Sequence, residues 1–257
     1  MKLNRTLRDC VYGMAVGDAL GVPFEFKPRG GFECVDMVGG GSHNQLAGTW
    51  SDDTSMALAL CDSYRELGRV DCDDILRRFR AWINDGAYTA DGVAFDYGNA
   101  TRKALATGRG GTGEWDKGNG SLMRCLPMAF MDCTSAEVRA VSAITHATDA
   151  CMDACEKMIR YAARLMREGA PAGESAAEPG GSSGYVWDTY NAAIWCLEHT
   201  ESYKECVLAA VNLGDDTDTT ACVAGGLAGI LYGREAIPPE WLATLRGKDV
   251  IESCLFE

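Results

Sequence analysis

Apolar residues recur at helical spacing along almost the whole chain, and runs of alternating β-branched residues are nearly absent. That combination leaves little room for a sheet, because strands favour Val, Ile and Thr where this sequence places Ala. The periodicity predicts helices over 7–20, 54–67, 75–83, 99–106, 122–130, 135–145, 150–167, 187–197, 203–213 and 219–231. The expected fold class is all-α. Gly13, Gly17 and Gly21 lie four apart in the first helix, a spacing that lets a second helix approach closely.

Glycine-rich or loop-like stretches occupy residues 27–49, 108–120 and 171–184. The third reads as a mobile surface loop. Helices on both sides of each stretch have similar composition, so 1–257 is expected to form a single domain. A chain of 257 residues buries a sizeable core without disulfide staples. Its 12 cysteines are scattered, with no Cys-x-x-Cys pair, and read as buried, reduced side chains.

Lys and Arg total 24 against 37 Asp and Glu, a formal net charge of −13. This excludes a general nucleic-acid binder or a binder of anionic membranes, since no basic surplus exists to meet phosphates. A small phosphate-bearing ligand remains compatible, because backbone N–H groups or a bound cation can hold it. No stretch is apolar enough to span a membrane, and the basic first residues lack a following signal-type block. A cytoplasmic location is expected.

Two acidic clusters stand at opposite ends of the chain. Ser51-Asp52-Asp53-Thr54 precedes one apolar helix, and Gly214-Asp215-Asp216-Thr217-Asp218-Thr219 precedes another. Helix capping accounts for one or two such residues. It does not account for adjacent carboxylates at the head of buried helices, which repel unless a cation neutralises them. Oxygen-only ligands suit Mg2+ or Mn2+ rather than zinc. A third acidic group, Asp71-Cys72-Asp73-Asp74, lacks the glycine and distal glutamate of a calcium loop and reads as a cap.

Other segments carry weaker signals. Gly118-Asn119-Gly120-Ser121-Leu122-Met123-Arg124 reads as a glycine turn opening a helix, where backbone N–H groups can approach an anion. Glu25 lies between Phe24 and Phe26, and Asp96 sits at a loop-to-helix junction. Of the three histidines, His43, His146 and His199, each alone reads as structural.

Taken in order, these segments resemble the ADP-ribosylglycohydrolase family. The resemblance rests on Gly17-Asp18-Ala19-Leu20-Gly21 with Glu25, Ser51-Asp52-Asp53-Thr54, and Phe95-Asp96-Tyr97-Gly98-Asn99. It continues through Gly118–Arg124 with Pro127, Thr145-His146, and Gly214 with Asp216-Thr217-Asp218-Thr219. It spans residues 13–233 in the family's order. The resemblance implies a single compact orthogonal helical bundle with a two-metal site, usually Mg2+ or Mn2+, in a cleft. By position the implied ligands are Ser51, Asp52, Asp53, Asp216, Asp218 and Thr219; Ser51 replaces the more usual Thr but keeps the hydroxyl. Glu25 and Asp96 match the catalytic acids. Asn119, Gly120, Ser121, Leu122, Met123 and His146 match positions that meet the substrate.

The implied activity is hydrolysis of the glycosidic bond joining ADP-ribose to a modified residue, with an arginine-type N-glycosidic linkage favoured. The implied partner is an ADP-ribosylated protein or small molecule. Bond breaking develops oxocarbenium charge on the ribose, which cations at the ribose hydroxyls and a carboxylate base can serve. Two rivals use the same residues differently: a non-catalytic ADP-ribose-binding or immunity module, and a metal-dependent phosphoesterase. Their products separate them, with nothing from the first, AMP from the second and intact ADP-ribose from the glycohydrolase.

Overall fold

The computed structural model describes residues 4–174 and 177–257. The 171–184 stretch therefore lies partly outside the described residues. Within them are eleven α-helices: α1 (Leu7–Gly21), α2 (Asp52–Leu67), α3 (Cys72–Asp85), α4 (Asn99–Thr107), α5 (Ser135–Ala143), α6 (Asp149–Glu168), α7 (Val186–Glu198), α8 (Tyr203–Val211), α9 (Thr217–Tyr232), α10 (Pro239–Thr244) and α11 (Lys248–Cys254). The β structure described is confined to isolated bridges, among them Gly111 with His146 and Gly118 with Tyr185. The chain is an all-α bundle, as its periodicity predicts.

The bundle is organised around α1 and α9. Every residue from Cys10 to Gly21 of α1 is buried, and so is every residue from Thr217 to Ile230 of α9. A helix buried all round belongs at the centre of a fold. The two helices run antiparallel with almost no side-chain layer between them. A Cβ on Gly13 would strike the Gly225 carbonyl, one on Gly17 the Ala221 carbonyl, and one on Gly21 the backbone of Asp218. The four-residue glycine spacing in α1 thus has the close-packing role read from it, and its partner is α9.

This crossing fixes the site. It brings the C-terminal end of α1 against the N-terminal end of α9, where the second acidic cluster begins. Helix α2 begins beside the same point, because buried Asp18 of α1 accepts from Ser51 N–H (2.8 Å), Thr54 N–H (3.0 Å) and Thr54 Oγ1 (2.6 Å).

One predicted helix is corrected. Residues 122–130 do not form a continuous α-helix; turns lead into a 3-10 helix over Leu126–Phe130. Pro127 cannot donate the N–H that an α-helix would return to Met123, and it disfavours the α conformation at Leu126. The glycine turn at 118–120 therefore does not present an α-helix N-terminus. Asp71 caps α3 by accepting from Asp74 N–H (3.1 Å), as its sequence suggests. Helices α10 and α11, short and interrupted by loop residues, escape the periodicity.

Candidate active site

The two acidic clusters meet, although more than 160 residues separate them along the chain. Thr219 Oγ1 of α9 donates to Asp53 Oδ2 of α2 at 3.4 Å, the two residues lying 166 positions apart in sequence. Ser51 caps α2, its Oγ accepting from Asp53 N–H (3.4 Å) and donating to Asp53 Oδ2 (3.0 Å). Capping does not explain α9. Asp216 occupies the N-cap position there without a side-chain cap bond, and its Oδ2 instead accepts from Asn119 Nδ2 (2.8 Å).

Two buried carboxylate oxygens, Asp53 Oδ1 and Asp218 Oδ2, have no hydrogen-bond partner among the described residues. Buried acceptors are normally satisfied, and an orphaned one costs about 1–3 kcal/mol or more when charged. Burial, then mutual repulsion, pushes Asp52, Asp53 and Asp218 well above the usual carboxylate range. Burial also raises Asp216, and it lifts Asp18 to about 7 against the hydrogen bonds from Thr54 and Ser51. No basic side chain pairs with any of these five within the described residues. The donor set of carboxylates with hydroxyls at Ser51 and Thr219, and its orphaned oxygens, fits hard divalent cations.

These helix starts lie at the floor of a cleft of ≈ 700 Å³. Of the residues singled out from sequence, Glu25, Asp52, Asp96, Asn119, Gly120, Met123, His146, Asp216 and Thr219 line it. Ser51, Asp53 and Asp218 are buried beneath it. Ser121 and Leu122 are also buried but face the core side of their loop. Ser121 Oγ accepts from Ser142 Oγ (2.9 Å) and from Cys155 Sγ (3.5 Å), which makes it a structural tie rather than a cleft group.

Across the cleft floor, Glu25 and Asp96 come together at a third side chain. His43 Nε2 lies 2.5 Å from Glu25 Oε2 and 3.3 Å from Asp96 Oδ1. One ligand atom from each of the three residues falls within 4.8 Å of the others, a span that one cation could bridge. Burial pushes Glu25 up to about 7, opposed by the His43 hydrogen bond. Hydrogen bonds to Asp96 and Glu25 raise His43 to about 10. Burial works against the ionised form of Asp96, but His43 holds it below its ordinary value. Asp96 adopts φ 60°, a left-handed conformation uncommon for a residue with a side chain, at the turn into α4.

The opposite wall is built by the 118–124 loop. Fully buried Arg124 stacks on Phe79 and donates from Nη1 to the Gly120 carbonyl. Its Nη2 donates to Val141 O (3.2 Å) and to Thr145 Oγ1 (2.9 Å). Thr145 Oγ1, already accepting there, is free to donate to His146 Nδ1 at 2.8 Å. Burial holds His146 down to about 3, so its ring is neutral, and donation by Thr145 at Nδ1 would place the ring proton on Nε2. That nitrogen faces Gly118 and Gly120 at the cleft wall. A Cβ on Gly120 would stand 2.6 Å from His146 Cε1, so glycine at 120 is required by the histidine ring as well as by approach to a ligand.

Asp18, His43 and Arg124 carry much of this geometry and were not among the residues expected to act. Asp18 could have been found as the single charge within Cys10–Gly21, the fully buried stretch of α1. His43 and Arg124 carry no comparable local signal.

A family model described as ADP-ribosylglycohydrolase matches residues 2–180 and 156–256. An ADP-ribosylarginine hydrolase Tri1 of Pseudomonas putida is 35% identical over 270 residues, covering 91% of this chain and 72% of that protein. The Rhodospirillum rubrum glycohydrolase named for ADP-ribosyl dinitrogen reductase is 33% identical over 264 residues, covering 91% of this chain and 87% of its own. A solved structure titled ADP-ribosylglycohydrolase-related protein complex superposes with a TM-score of 0.83 at 30% identity, covering 96% of this chain and 95% of that one. Two acidic helix starts meeting at a cleft floor, on a fold and sequence shared over nearly the full length, give one conclusion: this chain belongs to the ADP-ribosylglycohydrolase family.

Proposed function

We propose that residues 1–257 act as one domain that hydrolyses the N-glycosidic bond between ADP-ribose and an arginine side chain, releasing ADP-ribose. The observation that carries this reading is the meeting of two buried acidic helix starts, with orphaned oxygens on Asp53 and Asp218, beneath a cleft lined by Glu25 and Asp96. The arginine linkage is supported by relatives named as ADP-ribosylarginine hydrolases, at 35% and 34% identity. The one-domain reading is supported by a family match that reaches from residue 2 to residue 256.

Two divalent cations, Mg2+ or Mn2+, would be held by Ser51, Asp52, Asp53, Asp216, Asp218 and Thr219. When bound, such ions supply positive charge at the ribose hydroxyls as the glycosidic bond weakens. The remaining chemistry belongs to the chain. Glu25 takes a proton from the attacking water, whose oxygen bonds to C1 of the ribose. The C1–N electron pair leaves with the guanidine, which takes back the proton held by Glu25 and departs as guanidinium, leaving Glu25 ionised again. Asp96 orients the scissile ribose or the leaving group. The neutral ring of His146 offers its Nε2–H toward a substrate oxygen, and Asn119, Gly120 and Met123 line the same wall.

The test is product analysis with Mg2+ present, using peptides ADP-ribosylated on arginine or on serine. Intact ADP-ribose released from the arginine peptide, and faster than from the serine peptide, is expected. AMP as product would make the protein a phosphoesterase, and tight ADP-ribose binding without any product would make it a binding module.

A further inference from the structure

The loop at residues 39–48 is a built feature rather than a passive connection. Gly40 and Gln45 exchange both backbone hydrogen bonds, at 2.7 and 3.2 Å, closing a tight turn whose tip is Gly41-Ser42-His43-Asn44. Gly41, at φ 71°, docks so closely that a Cβ would strike the backbone of Pro23. Ser42 Oγ donates to the Glu25 carbonyl at 3.2 Å. The turn is thus clamped to the segment that carries Glu25.

The tip delivers His43 into the space between two carboxylates that arrive from distant parts of the chain. Its ring lies between Phe26 and Phe95, with centroids 6.1 and 5.2 Å away. Those rings flank it, and its Nε2 meets both Glu25 and Asp96. The two acids would otherwise face each other across the cleft with no positive group between them, and like charges at such range disfavour each other's ionised forms. One N–H cannot serve two acceptors equally, and the shorter contact goes to Glu25.

We propose that His43 is a positioning residue for the hydrolysis: its Nε2–H, shared between Glu25 and Asp96, sets the spacing of the two reacting acids and commits one oxygen of Glu25, leaving the other for the attacking water. This rests on the glycohydrolase reading given above. The role is exerted through Glu25 and Asp96.

The experiment compares His43→Ala, His43→Leu and His43→Gln with the wild type in Mg2+. It measures turnover and KM on an ADP-ribosylarginine peptide, ADP-ribose and Mg2+ affinity by calorimetry, and thermal midpoint. His43→Ala and His43→Leu are expected to lose about tenfold or more in kcat, as loss of proton-transfer geometry does, with ADP-ribose and Mg2+ affinity within about twofold. His43→Gln, whose amide N–H can bridge the acids without titrating, should recover much of the loss, and added imidazole should partly rescue His43→Ala. A kcat within about twofold of wild type in His43→Ala overturns the proposal. So does a parallel fall in ADP-ribose or Mg2+ affinity, or a His43→Gln variant no better than His43→Leu. Should the wild type release no ADP-ribose, the functional reading fails on its own. The bridge is then read by proton NMR: a His43 Nε2–H resonance that shifts in both Glu25→Gln and Asp96→Asn supports it, and one indifferent to either substitution refutes it.

Discussion

Glu25 and Asp96 share a partner but not a setting. Glu25 is the more buried of the two and is pushed up to about 7, inside the range where a general base works best at neutral pH. Asp96 is held low and remains ionised. Replacing Glu25 with Gln should lower turnover about 10²–10⁴-fold while ADP-ribose binding is kept. Asp96→Asn should raise KM for ADP-ribosylated peptides at least as much as it lowers turnover. Steady-state kinetics on the two variants decide this, and near-normal turnover by Glu25→Gln would remove it from the base role. Both acids carried only weak signals of their own, a carboxylate between two phenylalanines and one at a turn into a helix, and it was the family resemblance that singled them out. His43 was not legible. It lies in a glycine-rich turn, and its partners are 18 residues before it and far along the chain after it. Asp18 stands out as a charge in a buried stretch, but its partners do not, since the N–H groups it receives come from residues 33 and 36 positions later.

Among the helices, the α1–α9 crossing sets the depth of the site. The glycine spacing in α1 announces that some helix comes close, but spacing alone cannot say which one. The answer lies in α9, where Gly225 and Gly229 meet the backbone of Gly13 and Asp9. Because α9 begins with Asp216 and Asp218, any displacement of that helix moves half of the acidic floor. A Cβ at position 17 must push the Ala221 carbonyl away, since neither backbone has a softer route. Gly17→Ala is therefore expected to cost about 1–3 kcal/mol in urea unfolding, as overpacking does elsewhere. It should also weaken Mg2+ binding by calorimetry, although residue 17 contributes no ligand. Unchanged stability and affinity together would show that the helices tolerate a wider crossing. The 122–130 segment shows the limit of periodicity: its apolar spacing suits a helix, but Pro127 imposes turns and a 3-10 segment.

At the scale of the whole molecule, part of the acidic excess, 37 acidic against 24 basic residues, is buried at the site. Asp18, Glu25, Asp52, Asp53, Asp216 and Asp218 all have native pKa values raised by burial, so the native state binds more protons than the unfolded chain. Stability without divalent ions should therefore fall as pH rises from about 6.5 to 8.5. His43, raised to about 10, adds to the same trend, whereas His146, lowered to about 3, opposes it only below its unfolded value. Mg2+ should raise the thermal midpoint more at the upper end of that range, where the carboxylates are ready to bind it. A midpoint that climbs with pH in metal-free protein would contradict this electrostatic account. The fold class, the central helices and both acidic floors could be read from the sequence, but their convergence required the three-dimensional crossing. That convergence is tested most directly by anomalous diffraction from crystals soaked in Mn2+. The account predicts two peaks about 3.5–4 Å apart between the N-terminal ends of α2 and α9, each within coordination distance of Asp52, Asp53, Asp216 or Asp218. Manganese absent from that position, or bound only elsewhere, would contradict it.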